Sequence, residues 1–264
     1  MATALRQAVS SPRAVMWTCF GIIVLGAWGY LAAVSPQTAG DSLAADLLRS
    51  LCLADDDPWS RRSLTAAFVM WSAMILAMML PTAAPMMSTY MDIAEAAREK
   101  SMYAVSPLVL GAGYLSVWIM FSVAAAVLQA WLQSKAMLTA DETLARPGVA
   151  AAVLIIAGAY QFAPLKHACL NKCAHPMPYF LGNWRDTVPG VFKIGLAQGG
   201  YCVACCWALM LVMFVTGLMN LFWMAVIGIV MIIEKTVAEP KPWSYGAGAI
   251  LLITGAAIIA RFGL

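Results

Sequence analysis

Apolar residues run along the chain in long charge-free intervals, separated by short polar segments. As a helix, about 20 such residues cross a hydrocarbon layer about 30 Å thick. The interval between Arg13 and Asp41 predicts a first span over 16–34, and that between Arg62 and Asp92 a second over 64–87. A third, 107–130, starts at Pro107, and the 19 residues between Arg146 and Lys166 give a fourth over 147–164. Lys193 and Glu234 are separated by 40 uncharged residues. One helix of that length would measure about 60 Å, twice the layer, so the stretch is expected to fold as a hairpin. Its arms are 194–216 and 219–234, with the turn near Thr216 to Asn220, and a seventh span covers 243–260. The expected fold is an all-α membrane protein: a polytopic helical bundle of about seven transmembrane helices, forming a single domain over residues 1–264.

The basic residues orient this bundle, because Lys and Arg accumulate in cytoplasmic loops. With a cytoplasmic N-terminus, ten of the 16 Lys and Arg lie inside, among them Arg98, Lys166, Lys193 and Lys235. The acidic residues Asp41, Asp46, Asp55, Asp56 and Asp57 then face outward, as does Leu264. Arg6 and Arg13 precede an apolar run as in a signal peptide, but the run is too long and more spans follow, so it reads as a retained anchor. A multi-pass location in a cell membrane is expected. Pro164, Pro176, Pro178 and Pro189 forbid a continuous helix over 164–193, which is expected as a structured loop or a pair of short helices on the cytoplasmic face.

Composition narrows the function. With 62% hydrophobic and 11% charged residues, against about 25% charged in soluble domains, a soluble globule is excluded. A net charge of +3 without a basic block excludes nucleic acid as a partner, leaving the lipid bilayer and either membrane-enzyme subunits or a second copy of the chain. No carboxylate pair, phosphate-cradling glycine loop or Ser/His/Asp arrangement is present, so hydrolytic and nucleotide-driven functions have little support, and a role without catalytic activity of its own is favoured over an enzyme.

Chemistry is carried by sulfur. Of the seven Cys, five fall within the 38 residues from Cys169 to Cys206. The only two histidines, His167 and His175, bracket Cys169 and Cys173, a set of imidazole and thiol donors favoured by zinc and copper. Cys202, Cys205 and Cys206 stand at i, i+3 and i+4 and so share one helix face, continued by Met210 and Met213. Met70, Met74 and Met78 repeat every four residues in the second span before Pro81 and Pro85, which should break it. Backbone carbonyls freed there need cover from protein or water. Gly195 and Gly199 make a small-residue face that lets another helix approach the sulfurs. Among cations, Cu(I) suits this soft inventory best and zinc second. Glu234 is either a partner of its neighbour Lys235 or an outer residue that orients a metal ligand.

At these residues the sequence resembles a bacterial family of predicted metal-binding integral membrane proteins. Lys166, Cys169, Leu170, Cys173 and Pro176 match its K-x-x-C-L-x-x-C-x-x-P loop. Gly195, Gly199, Tyr201, Cys202, Cys205, Cys206, Trp207, Leu209 and Met210 match the helix that follows, and Glu234-Lys235 an E-K after the next span. Ala77 to Pro81 and Pro85-Met86 resemble its proline-containing second span. The likeness covers about residues 64–240, leaves His167 and His175 outside the pattern, and implies a metal without assigning an activity.

Three functions remain open. The first is copper binding for transport, for delivery, or as an accessory subunit of a membrane metalloenzyme, through Cys169, Cys173, Cys202, Cys205 and Cys206 with His167, His175 and Met210. The second is a membrane thiol or metal oxidoreductase, or a subunit of an oxygenase or electron-transfer complex. The third is a structural subunit whose sulfurs only pack.

Overall fold

A computed structural model describes residues 12–35, 57–101, 104–139, 143–237 and 239–263. Arg6, Cys52 and the acidic residues Asp41 to Asp56 lie outside them. Among the described residues, regular structure is helical, apart from one isolated bridge between Leu138 and Leu144. The helices are α1 Pro12–Val34, α2 Arg61–Thr82, α3 Ala84–Glu99, α4 Pro107–Ser134, α5 Pro147–Tyr160, α6 Pro164–Ala174, α7 Pro176–Asn183, α8 Val188–Thr216, α9 Leu221–Thr236 and α10 Pro240–Phe262. Six of them open on proline, whose missing N–H would have no intrahelical partner in the first turn anyway.

Five helices, α1, α2, α4, α8 and α10, are long and apolar enough to cross a membrane. α5 and α6 together make a sixth candidate, bent by 64°. The expectation of seven full-length spans is thus not met by length. At 16 residues α9 reaches about 24 Å, and α5 at 14 residues about 21 Å. The expected fourth span, 147–164, stops at Tyr160 because the residue before Pro164 disfavours helical geometry. Residues 164–193 hold the pair of short helices α6 and α7.

The second span breaks where its prolines stand. α2 ends at Thr82 and α3 starts at Ala84, so the expected helix 64–87 is two helices. Pro81 cannot donate to the carbonyl of Ala77, and the indole Nε1–H of Trp28 from α1 donates there instead, at 3.2 Å. The carbonyl of Met79 accepts from the hydroxyls of Thr82 at 2.8 Å and Tyr114 at 3.1 Å. Such cover makes a broken helix tolerable at membrane depth. At the hairpin turn, Gly217 takes φ 95° and Asn220 caps α9 through Trp223 N–H.

α8 is the axis of the bundle, packed on α4, α5, α6 and α9. It lies against α4 backbone to backbone. A Cβ on Gly195 would stand 2.2 Å from the carbonyl oxygen of Leu110, and one on Gly113 2.3 Å from that of Phe192. Gly199 adds a third close approach, next to Tyr114. Outward faces are apolar: Leu25 on α1, Met120 on α4 and Ile253 on α10 are each about 70% exposed. At one end Arg13 of α1 pairs with Asp92 at 2.6 Å and Glu95 at 3.0 Å on α3.

Candidate metal centre

Helical spacing places the three α8 thiols on the face turned inward. Cys202, Cys205 and Cys206 are all buried, and α6 brings Cys169 and Cys173, one turn apart, to the same region. Cys173 and Cys169 both lie within electrostatic reach of Cys205. The broken end of α2 adds a donor that the cysteine spacing does not reveal. The thiol of Cys206 meets the thioether sulfur of Met79 at 3.8 Å.

Cys205 and Cys206 both direct their S–H groups to the carbonyl of Cys202, at 3.1 and 2.8 Å. Such bonds back to the preceding turn satisfy thiols inside a helix. Among the described residues, no three His, Cys, Asp or Glu side chains converge closely enough to hold an ion in this arrangement. Nor is any cysteine in a disulfide among them.

Cys202 stands apart from the other two. Its sulfur receives the Lys235 ammonium at 2.9 Å and lies 3.1 Å from the Tyr114 hydroxyl. Lys235 also donates to Thr82 Oγ1 at 3.0 Å, and Thr82 donates onward to the Met79 carbonyl. Four helices, α2, α4, α8 and α9, therefore meet around one sulfur.

The reading of Glu234 as a partner of Lys235 is corrected. Adjacent residues on a helix do not face each other, and the two point to different neighbours. Glu234 accepts from Lys166 of α6 at 2.7 and 2.9 Å and from Ser244 of α10 at 2.7 Å. Lys166 also hydrogen-bonds to Gln161 in the turn between α5 and α6. Both members of this ion pair are buried, so the Cys169–Cys173 helix is fastened three residues upstream of its first thiol.

The histidines are placed elsewhere. His167 packs edge-on against Tyr245 of α10, with ring centroids 5.2 Å apart, and neither of its ring nitrogens has a hydrogen-bond partner. His175 is exposed at the junction of α6 and α7. Met210 is fully buried one turn beyond Cys206.

A family model named PpoB2 and described as a copper chaperone matches residues 68–258, more than half of the chain. The chain belongs to this copper chaperone family. No curated protein and no solved structure matches it. The span matched by the copper chaperone family includes α4 to α9 entire and every residue of the thiol cluster. Tyr114 and Thr82 were not singled out from the sequence, whereas Lys166 and Lys235 stood there in the motif match and Met79 in the methionine-rich stretch before Pro81. Glu234-Lys235 was also a local sign, a charged pair closing an otherwise apolar helix.

Proposed function

We propose that this chain is a multi-pass membrane protein that carries Cu(I) as cargo, held by sulfur at the meeting of α2, α6 and α8. The supporting observation is the Cys206–Met79 pair, which places a thioether from the broken helix beside the thiol stripe. Two sulfurs that share a metal at about 2.3 Å each stand about 3.8–4.0 Å apart in tetrahedral or trigonal coordination. Their separation of 3.8 Å already matches that spacing. Rotation of Cys205 from one staggered χ1 well to another frees its sulfur from the Cys202 carbonyl, while Cys206 keeps its place beside Met79 and gives up its S–H proton when metal binds. Cys205, Cys206 and Met79 then form the centre of the site, with Cys173 and Cys169 approaching from α6.

Soft thiolate and thioether donors select Cu(I), with zinc as the second choice. A low-coordinate soft ion needs only part of the set, so the remaining thiols can take over a ligand position during transfer. That suits delivery or transport of copper better than permanent storage. His167, packed on Tyr245, and His175, exposed, are not counted among the donors of this centre. Burial of all five thiols also supports binding over thiol exchange, which requires an accessible thiolate.

The test is to load the purified chain with Cu(I) under reducing conditions and measure bound copper and its X-ray absorption. About one equivalent per chain with an all-sulfur shell is expected, lost on Cys205→Ser with Cys206→Ser. Less than about 0.1 equivalent, or a shell of nitrogen and oxygen, would overturn the reading.

A further inference from the structure

The buried cation beside the thiols has no role in holding sulfur donors to copper. We infer that Lys235 is the specificity-determining residue of this site, a fixed positive charge that admits a monovalent soft metal and rejects divalent ones. This rests on the copper reading and adds a reason for the oxidation state.

Lys235 is buried, and its ammonium bonds to Cys202 Sγ and Thr82 Oγ1. Among the described residues it has no carboxylate partner: Glu234 next to it is engaged by Lys166 and Ser244. Thr82 and Tyr114, the hydroxyl neighbours, are neutral. The sulfur face is therefore where this charge finds its compensation, since an unpaired ion is costly in a low-dielectric interior.

The charge count follows. With Lys235 in place, a monovalent metal needs two thiolates to make the buried cluster neutral. A divalent metal needs three, plus a fourth donor to complete a tetrahedron. Cys202 is already claimed by Lys235 and Tyr114, so α8 has Cys205 and Cys206 free to ionise, with the neutral thioether of Met79 as third donor. Two thiolates and a thioether satisfy Cu(I). A divalent ion needs a third thiolate, drawn from Cys173 on α6, and meets the like charge of the ammonium with twice the repulsion that a monovalent ion does. The ammonium and the spent sulfur act together: one supplies the repulsion and the other removes the ligand.

Softness and charge are separated by using Ag(I) and Cd(II), both soft but differing in charge. Competitive titration of the full chain in detergent gives the affinity ratio of the two ions. Lys235→Met and Lys235→Gln should each shift the ratio toward Cd(II) by at least about tenfold, from the repulsion one unit charge exerts at this range. Lys235→Arg, which keeps the charge while changing its shape, should stay within about threefold of the unaltered chain. A ratio unchanged in both neutral variants, or lost equally in Lys235→Arg, overturns the proposal. Should the neutral variants fail to fold, the unaltered chain decides: a full equivalent of Cd(II) in an all-thiolate shell overturns the assignment, and its absence with Ag(I) bound supports it. A chain that binds neither Ag(I) nor Cu(I) defeats the copper reading itself, a result distinct from loss of selectivity.

Discussion

Glu234 and Lys235 are neighbours in sequence with opposite tasks. Glu234 neutralises Lys166, whereas Lys235 faces sulfur. Removing one member of a buried pair strands the other, at a cost of about 3–5 kcal/mol. Glu234→Gln should therefore lower stability by that order in a thermal or denaturant melt. The double change Lys166→Met with Glu234→Leu should cost much less, because no charge is left buried. A deficit equal to that of Glu234→Gln would show that the pair stabilises through its geometry and not through mutual neutralisation. Met79→Leu tests a different link. It preserves volume, so stability should fall by less than about 1.5 kcal/mol. Cu(I) affinity should nevertheless fall at least about tenfold, because a sulfur donor is gone.

At the scale of elements, the site exists because three helices depart from regularity. α2 breaks at its prolines and turns Met79 and Thr82 into the bundle, and α5 bends into α6 to bring Cys169 and Cys173 inward. α8 sheds side chains at Gly195 and Gly199 so that Tyr114 of α4 reaches Cys202. Gly195→Val should separate α4 from α8, since even a Cβ there would overlap a backbone carbonyl. Overpacking of this kind costs about 1–3 kcal/mol or more. The expected readout is lower melting temperature together with weakened Cu(I) binding, while Gly200→Val, with open space at its Cβ, should change neither.

These departures were largely legible in the sequence. The proline break, the hairpin turn, the short helices of 164–193 and the glycine face follow from local rules about missing donors, charge-free length and small residues. The polar contacts were not. Lys166 meets Glu234 across 68 residues and Lys235 meets Cys202 across 33, pairings that depend on which helices pack together. The five cysteines stood out as a set, whereas Met79 read as one of a run of methionines that packing alone would explain.

For the whole molecule, the number of crossings decides on which side the chain ends. Five helices qualify by length, and the bent α5–α6 pair adds a sixth candidate. We expect α9 to count as a crossing as well, its shortness offset by burial against α2, α8 and α10. An odd total puts the two termini on opposite sides of the membrane. Reporter fusions at residue 264 should then read outward while N-terminal fusions read cytoplasmic. Matching signals at both ends would give an even count and remove α9 from the spanning set.

The Lys166–Glu234 pair also imposes an order on biosynthesis. Its carboxylate follows its ammonium by 68 residues, which a ribosome adding 5–20 residues per second supplies roughly 3–14 s later. During that wait Lys166 cannot be buried without cost, so α6 must linger in the polar margin of the bilayer. Arrival of α9 releases it inward, and Cys169 and Cys173 follow. The α6 thiols are then expected to join those of α8 only once α9 has been made.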